Sequence, residues 1–297
     1  MALPASPNLP LPTQPPALQR IYRRASHLIL VLIFSSVCWL GFGLFGVSAP
    51  AQAAVSNEDL EQFFQVLDDL FQKGLEATQA GDFEVAEDYW SAAIEIYPQN
   101  PAAWSNRGNV RVSQFKLDEA IDDFNKAVEL APNLPDPYIN RGTAWEGLKE
   151  WEKAIDDYNY AITLNPRDPV AYNNRGNAQG GAGNWEAASQ DFQKAAVLAP
   201  GFAGANVNYA LSLYQLGDVK ESTRLLRGLV RRYSQFADPR AALTAVLWGQ
   251  GLSGEAESNW YPVMGLDPRY SDTDWLLNIR RWPPQVVEDL GRFLALR

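Results

Sequence analysis

Apolar residues at helical spacing recur along the middle of the chain. Ala120, Phe124 and Ala127 fall at i, i+4 and i+7, one face of an α-helix. The same face returns as Ala154, Tyr158 and Ala161 and again as Ala188, Phe192 and Ala195, each set 34 residues after the last. A second face precedes each of them, with an aromatic and then a glycine four residues on: Trp104 and Gly108, Tyr138 and Gly142, Tyr172 and Gly176. Pro132, Pro166 and Pro200 close the units, because a residue without an N–H ends a helix. The stretch therefore reads as three copies of a two-helix hairpin. Glycine and alanine let the helix axes approach, and the aromatic fills the space beside them. A period of this length belongs to a stacked repeat array, not to one globular core.

Weaker copies flank these three. Residues 67–100 supply Gly74, Gly81, Ala86, Trp90, Ala93 and Pro98. Residues 203–236 keep Gly217 and place Ala210 in the glycine column, but Ser222, Leu226, Leu229 and Ser234 replace alanine, aromatic, alanine and proline. With no proline before Asp238-Pro239, the second helix of that unit is expected to run long. Residues 237–270 recover Gly251, Ala256, Trp260 and Pro268. On these six columns the chain resembles the tetratricopeptide repeat (TPR) family. The resemblance implies an all-α, helix-hairpin solenoid, the TPR superhelix. About six repeats (67–100, 101–134, 135–168, 169–202, 203–236 and 237–270) are expected inside an array spanning 58–270. Ser56 or Asn57 can cap an N-terminal helix at Glu58-Asp59 that doubles as the array's cap. Residues 271–297 read as C-terminal capping helices: a short one over Asp272–Ile279, a break at Arg280-Arg281-Trp282-Pro283-Pro284, and a last one. On that last helix Val286, Val287, Leu290, Phe293 and Leu294 face inward and Glu288, Asp289 and Arg292 face outward. A docking element around Trp275 and Trp282 is the alternative.

The N-terminal region has another character. Residues 1–27 are proline-rich and then basic, and read as disordered. Arg20, Arg23 and Arg24 precede the uncharged stretch Leu28–Val47, and Ala51-Gln52-Ala53 supplies small residues at a cleavage position. Residues 28–53 thus form an export signal cut after Ala53, or, at twenty apolar residues, a membrane anchor. In both cases the arginines stay in the cytoplasm and the repeats are exported. The only histidine, His27, and the only cysteine, Cys38, precede Ala53. A processed chain has no thiol nucleophile, histidine base, disulfide or usual zinc ligand set. The 35 carboxylates all follow Ala53, whereas three of the 25 bases precede it, which takes the net charge from −10 to about −13. That charge disfavours nucleic acid and anionic membrane surfaces as partners.

The paired carboxylates Asp122-Asp123 and Asp156-Asp157, with Asp191, follow the repeat, as do Arg107, Arg141 and Arg175. Co-recurring opposite charges point to structural ion pairs, since an active site needs one asymmetric constellation. No cofactor or metal is expected, and the chain reads as no enzyme. The resemblance places the functional surface in the groove lined by each repeat's first helix. Its expected binding residues are Asn106, Asn140 and Asn174, then Asn109, Thr143 and Asn177, with Ile139 and Asn173 beside them. Such amides can grip an extended peptide backbone. TPR domains that clamp a terminal carboxylate place cations in two groove columns. Here those columns carry Asp68, Ala102, Asp136, Val170 and Gly204, and Phe71, Ser105, Ile139, Asn173 and Val207, so that clamp is not expected. Gly180 and Gly181 read as helix-end glycines or as room for a ligand.

The Arg-Arg-Trp-Pro-Pro segment closing a short exported TPR array resembles cyanobacterial and plastid lumenal proteins, which implies the thylakoid lumen or periplasm. The expected function is a monomeric, non-enzymatic scaffold that binds an extended segment of a protein partner. It would aid assembly or stability of a membrane-associated complex, which that resemblance implies is a photosynthetic one, and would touch the membrane only through its N-terminal apolar segment. The alternative is a cell-envelope protein acting by self-association. Protein recovered from cells is expected to begin at Ala54 and to leave membranes in high salt or carbonate. An integral membrane species that retains residues 1–53 would instead make residues 28–47 an anchor.

Overall fold

The computed structural model describes residues 57–296. The expected leader and the segment before it lie outside the described residues. Among the described residues no helix is long and apolar enough to cross a membrane. The chain divides into two compact units, one ending at Ala131 and one starting at Pro132.

The first unit holds α1 (Asn57–Ala80), α2 (Phe83–Ile96), α3 (Pro101–Ser113) and α4 (Leu117–Leu130). Each helix packs on the next. The second unit continues the alternation with α5 (Pro135–Gly147), α6 (Trp151–Leu164), α7 (Pro169–Gly181), α8 (Trp185–Leu198), α9 (Ala203–Gln215), α10 (Val219–Arg232), α11 (Ala237–Gly249) and α12 (Ser253–Trp260). There α5 also touches α7 and α9 touches α11, so the first helices of successive repeats line one inner face. The all-α helix-hairpin class expected from the repeat is the class observed.

One contact sets the spacing of each hairpin. A Cβ built on Gly108 would sit 2.6 Å from the Phe124 ring, one on Gly142 2.7 Å from Tyr158, one on Gly176 2.7 Å from Phe192 and one on Gly74 2.7 Å from Trp90. The ring of the second helix thus lies directly on the backbone of the first. Alanines at 0% exposure fill the rest of each seam: Ala120 and Ala127, Ala154 and Ala161, Ala188 and Ala195. The starts of the first helices are also written locally. Pro101, Pro135 and Pro169 occupy the first turn, where a missing N–H costs nothing. Asn100 accepts from the Ala102 N–H at 2.9 Å, and Asp168 from the Val170 N–H at 2.8 Å. Asp168 is therefore an N-cap, worth about 1 kcal/mol.

The turn inside each hairpin passes through the left-handed region at one position per repeat. Gly81, Gly183, Gly217 and Gly251 take φ of 76–87° there, but the same position is Phe115 (59°) and Lys149 (60°) in the two repeats between Gly81 and Gly183. Glycine adopts this conformation freely, whereas a Cβ is crowded against the carbonyl that follows it.

The array's later elements correct several expectations. Helix α10 stops at Arg232 after 14 residues, the length of α4, α6 and α8. Its cap is the Tyr233 N–H on Leu229 O, and no proline is needed. Helix α12 lasts only eight residues. After it come α13 (Val263–Leu266), a 3-10 turn (Pro268–Ser271), α14 (Thr273–Asn278) and α15 (Pro284–Leu294). Helix α15 packs on α9 and α11, burying Val286, Leu290 and Phe293. Asp289, assigned to the outer face, is 1% exposed because the Tyr214 hydroxyl donates to it at 2.7 Å. Trp282 is 2% exposed within this core and so is not the free docking surface considered above, while Trp275 is half-buried and packs edge-on to Tyr270. Gly142→Ala and Ala154→Leu are expected to overpack the same hairpin and to cost about 1–3 kcal/mol each in urea unfolding. The exposed change Asp122→Ala should leave the midpoint where it is, and equal midpoints for all three would refute the packing described.

Candidate functional site

The recurrent charges are structural pairs. Arg107 holds Asp123 through two bonds of 2.9 and 2.6 Å, Arg141 holds Asp157 at 2.9 and 2.6 Å, and Arg175 holds Asp191 at 2.7 and 2.7 Å. Each joins the first helix of a repeat to its second. Each guanidinium also lies over an aromatic one turn before it, namely Trp104, Tyr138 or Tyr172. Burial holds the Asp157 carboxyl above its ordinary pKa even with Arg141 beside it, and Asp157 in turn raises Arg141. With its carboxylates committed in this way, the set is not arranged for proton transfer.

The expected binding residues divide between the units. Asn106 and Asn109 lie on α3 of the first, one half-buried and the other exposed. The remaining six lie on α5 and α7 of the second. Asn140 and Asn174 are half-buried, Ile139 and Asn173 are 8% exposed. The Thr143 hydroxyl donates to Ile139 O at 3.0 Å and meets the Tyr158 hydroxyl at 3.3 Å. Asn173 and Asn177 are already engaged: Asn208 Nδ2 donates to Asn173 Oδ1 at 3.0 Å and reaches Asn177 Oδ1 at 3.4 Å. Both amides thus direct their oxygens at Asn208, and Ile139 is buried. Val207, next in the column of Ile139 and Asn173, is fully buried in the core.

The inner face of the second unit holds a turn of the chain itself. Between α14 and α15 the backbone turns over Ile279–Pro283, with the Ile279 and Arg280 N–H groups on Trp275 O, the Trp282 N–H on Leu276 O and Arg281 at φ 58°. Arg280 Nε and Nη2 bind Asp238 at 3.0 and 2.5 Å, and Nη1 donates to Asn208 Oδ1 at 3.0 Å. The Tyr270 hydroxyl completes the Asp238 shell at 2.8 Å, and burial raises its pKa. Arg281 forms an ion pair with Glu146 and lies 6.0 Å from the Trp151 ring. Lys149 Nζ donates to Asn278 Oδ1 at 3.2 Å. A crevice of about 170 Å³ remains between the segment and Trp151, Gly180, Gly181 and Trp185. The two glycines hold open no vacant space, since a Cβ on Gly180 would meet the Trp185 ring at 2.9 Å and one on Gly181 the Trp151 ring at 2.8 Å.

A profile described as tetratricopeptide repeat matches residues 71–135 and 173–237, and one described as TPR repeat matches 148–183. The chain is a tetratricopeptide repeat protein. No curated protein matches it. Among solved structures it is similar to a tetratricopeptide repeat protein from Parabacteroides merdae, with TM-score 0.59 at 21% identity over 78% of this chain and 99% of that one. PilF of Pseudomonas aeruginosa gives 0.60 at 20% identity over 70% and 94%. The anaphase-promoting complex heterotetramer Cut9–Hcn1 gives 0.61 at 15% identity over 94% of this chain and 55% of that one. These likenesses concern the fold.

Within the repeat grammar, the residues that hold the segment have a readable place. Asn208 is 34 residues after Asn174, the next rung of the Asn106, Asn140, Asn174 column. Asp238 is 34 after Gly204, in the first clamp column. The array supplies the carboxylate there and the bound segment supplies the cation, the reverse of a carboxylate clamp. Extending both columns by one period would have found this pair, but which residue would fill it was not legible locally. Arg280→Met would leave the fully buried Asp238 without its countercharge, at an expected cost of about 3–5 kcal/mol in denaturant unfolding. Arg269→Met, at an exposed pair, should leave the transition unmoved, and a similar tolerance at Arg280 would show that Asp238 does not depend on the segment.

Proposed function

We propose that this tetratricopeptide repeat protein is a non-enzymatic scaffold that binds an extended segment of a partner protein on the face lined by its first helices. One observation carries the reading. The second unit already holds Ile279–Pro283 of its own chain there, through an asparagine of the predicted column and an aspartate of the clamp column. The mode is available to a partner wherever the asparagine column is accessible, as it is in part at Asn106, Asn140 and Asn174, and Asn109 adds an exposed amide beside Asn106 on α3. Amide side chains can donate to and accept from peptide groups without reading sequence, and specificity comes from the neighbouring side chains.

The leader and the two family resemblances support an exported scaffold in the thylakoid lumen or periplasm. Its role there would be assembly or stabilisation of a membrane-associated complex. The proposal rests on Asn106, Asn109, Asn140, Thr143, Asn174 and Asn177, which are exposed or half-buried, whereas Asn173 and Ile139 are 8% exposed. Crosslinked capture from membranes should recover a partner with the wild type. Asn106→Ala and Asn140→Ala should each keep the melting temperature and weaken binding by about 1 kcal/mol, the usual cost of a stranded polar group. Full-strength capture by the Asn106→Ala/Asn140→Ala/Asn174→Ala variant would place the interaction on another surface.

A further inference from the structure

One repeat departs from its neighbours at several positions that meet in space. The position four residues after the glycine is Thr78, Val112, Gly180 and Tyr214 in other repeats, but Glu146 here. The aromatic on the glycine is Phe124 and Phe192 in the flanking repeats, but Tyr158 here, and the residue after the glycine is Asn109 and Asn177, but Thr143 here. The structure joins these departures. The Tyr158 hydroxyl donates to Glu146 Oε1 at 2.5 Å and meets Thr143 Oγ1 at 3.3 Å, and the Arg281 guanidinium paired with Glu146 lies 6.0 Å from the Trp151 ring. Glu146 is 2% exposed. A buried carboxylate with one hydroxyl donor requires a cation.

That cation is Arg281, and its attachment differs from that of its neighbours. Arg280 on one side is fixed to the fully buried Asp238, and Trp282 on the other is core. Arg281 itself takes φ of 58°, a left-handed conformation unfavourable for a residue with a Cβ, and its side chain is 24% exposed. Neither flanking anchor therefore depends on the Arg281–Glu146 pair.

We propose that Glu146, Tyr158, Thr143 and Trp151 form a binding subsite for one arginine side chain of a partner segment, which Arg281 occupies in cis until the partner's guanidinium displaces it. The inference deepens the scaffold reading above and rests on it for the identity of the incoming chain as a protein segment. It adds the chemistry: an arginine, held by a carboxylate and stacked near an indole, in an array otherwise read as favouring neutral amide contacts. The tethered Arg281 competes at high effective concentration, so the affinity for an incoming arginine is its intrinsic value multiplied by the fraction of molecules in which the latch is open.

The test needs no natural partner and so fails or succeeds separately from the capture experiment. The tripeptide acetyl-Gly-Arg-Gly-amide is titrated into the full chain while the Trp151 indole N–H resonance is followed, with the citrulline tripeptide as the uncharged isostere. Arg281→Met is expected to bind the arginine tripeptide at least tenfold more tightly than the wild type and to ignore citrulline. Adding Glu146→Gln to Arg281→Met should abolish the gain. The proposal is overturned if folded Arg281→Met shows no saturable shift, if citrulline binds as well as arginine, or if Glu146→Gln changes nothing. Should Arg281→Met and Arg281→Lys both fail to fold, Arg281 is a fixed part of the fold and the subsite is refuted as well.

Discussion

The structure depends on a ring resting on a glycine. In four successive repeats the aromatic of the second helix sits where the Cβ of the first helix would have been, with 2.6–2.7 Å between the missing atom and the ring. No larger residue fits without moving a helix. The contact fixes how closely the two axes approach, so the alanines on either side become seam residues at 0% exposure. It also fixes the height of one helix on the other. The arginine just before the glycine then faces the aspartate just before the aromatic, 16 residues on, in three repeats. A spacing rule set by one contact thus carries the hydrophobic seam and the ion pairs together.

Positions that recur build this framework, and positions that occur once use it. Glu146, the hydroxyl of Tyr158, and the Arg280 that meets Asp238 and Asn208 have no counterparts at the equivalent places of neighbouring repeats. They converge on the inner face of the second unit, where a non-helical stretch of the C-terminal region lies across first helices that precede it by up to 135 residues. The left-handed residues show the same division. Four repeats place glycine in the turn, whereas Phe115, Lys149 and Arg281 adopt that conformation with side chains attached, and two of these three, Lys149 and Arg281, hold the C-terminal segment in place.

The framework was legible because repetition turns a weak local preference into a column. Gly108, Gly142 and Gly176 are uninformative singly, but three at one spacing opposite three aromatics specify a hairpin. The site was legible only as far as the same logic runs. The asparagine column pointed to the right face, and its unread fourth rung, Asn208, is the one that holds a segment. What stayed hidden depends on partners remote in sequence. Asp289 lies on the polar stripe of its helix yet turns inward to Tyr214, 75 residues away. Gly180 and Gly181 signal space, but local sequence cannot say that two of the chain's own tryptophans fill it. The end of α10 was misjudged for a different reason: the turn geometry at Tyr233 stops the helix without the proline that marks the other repeats.

An open repeat array can gain or lose a unit at little cost, since each repeat meets only its neighbours, and such arrays change length readily in evolution. The bond from Arg281 to Glu146 removes that freedom from the second unit. Duplicating or deleting one 34-residue block between Trp151 and the C-terminal segment would carry the arginine one repeat past its carboxylate and leave both charges stranded. The repeat number on that side is therefore counted by the fold itself, and unfolding there should proceed as one cooperative block and not by fraying repeat by repeat from the C-terminal end.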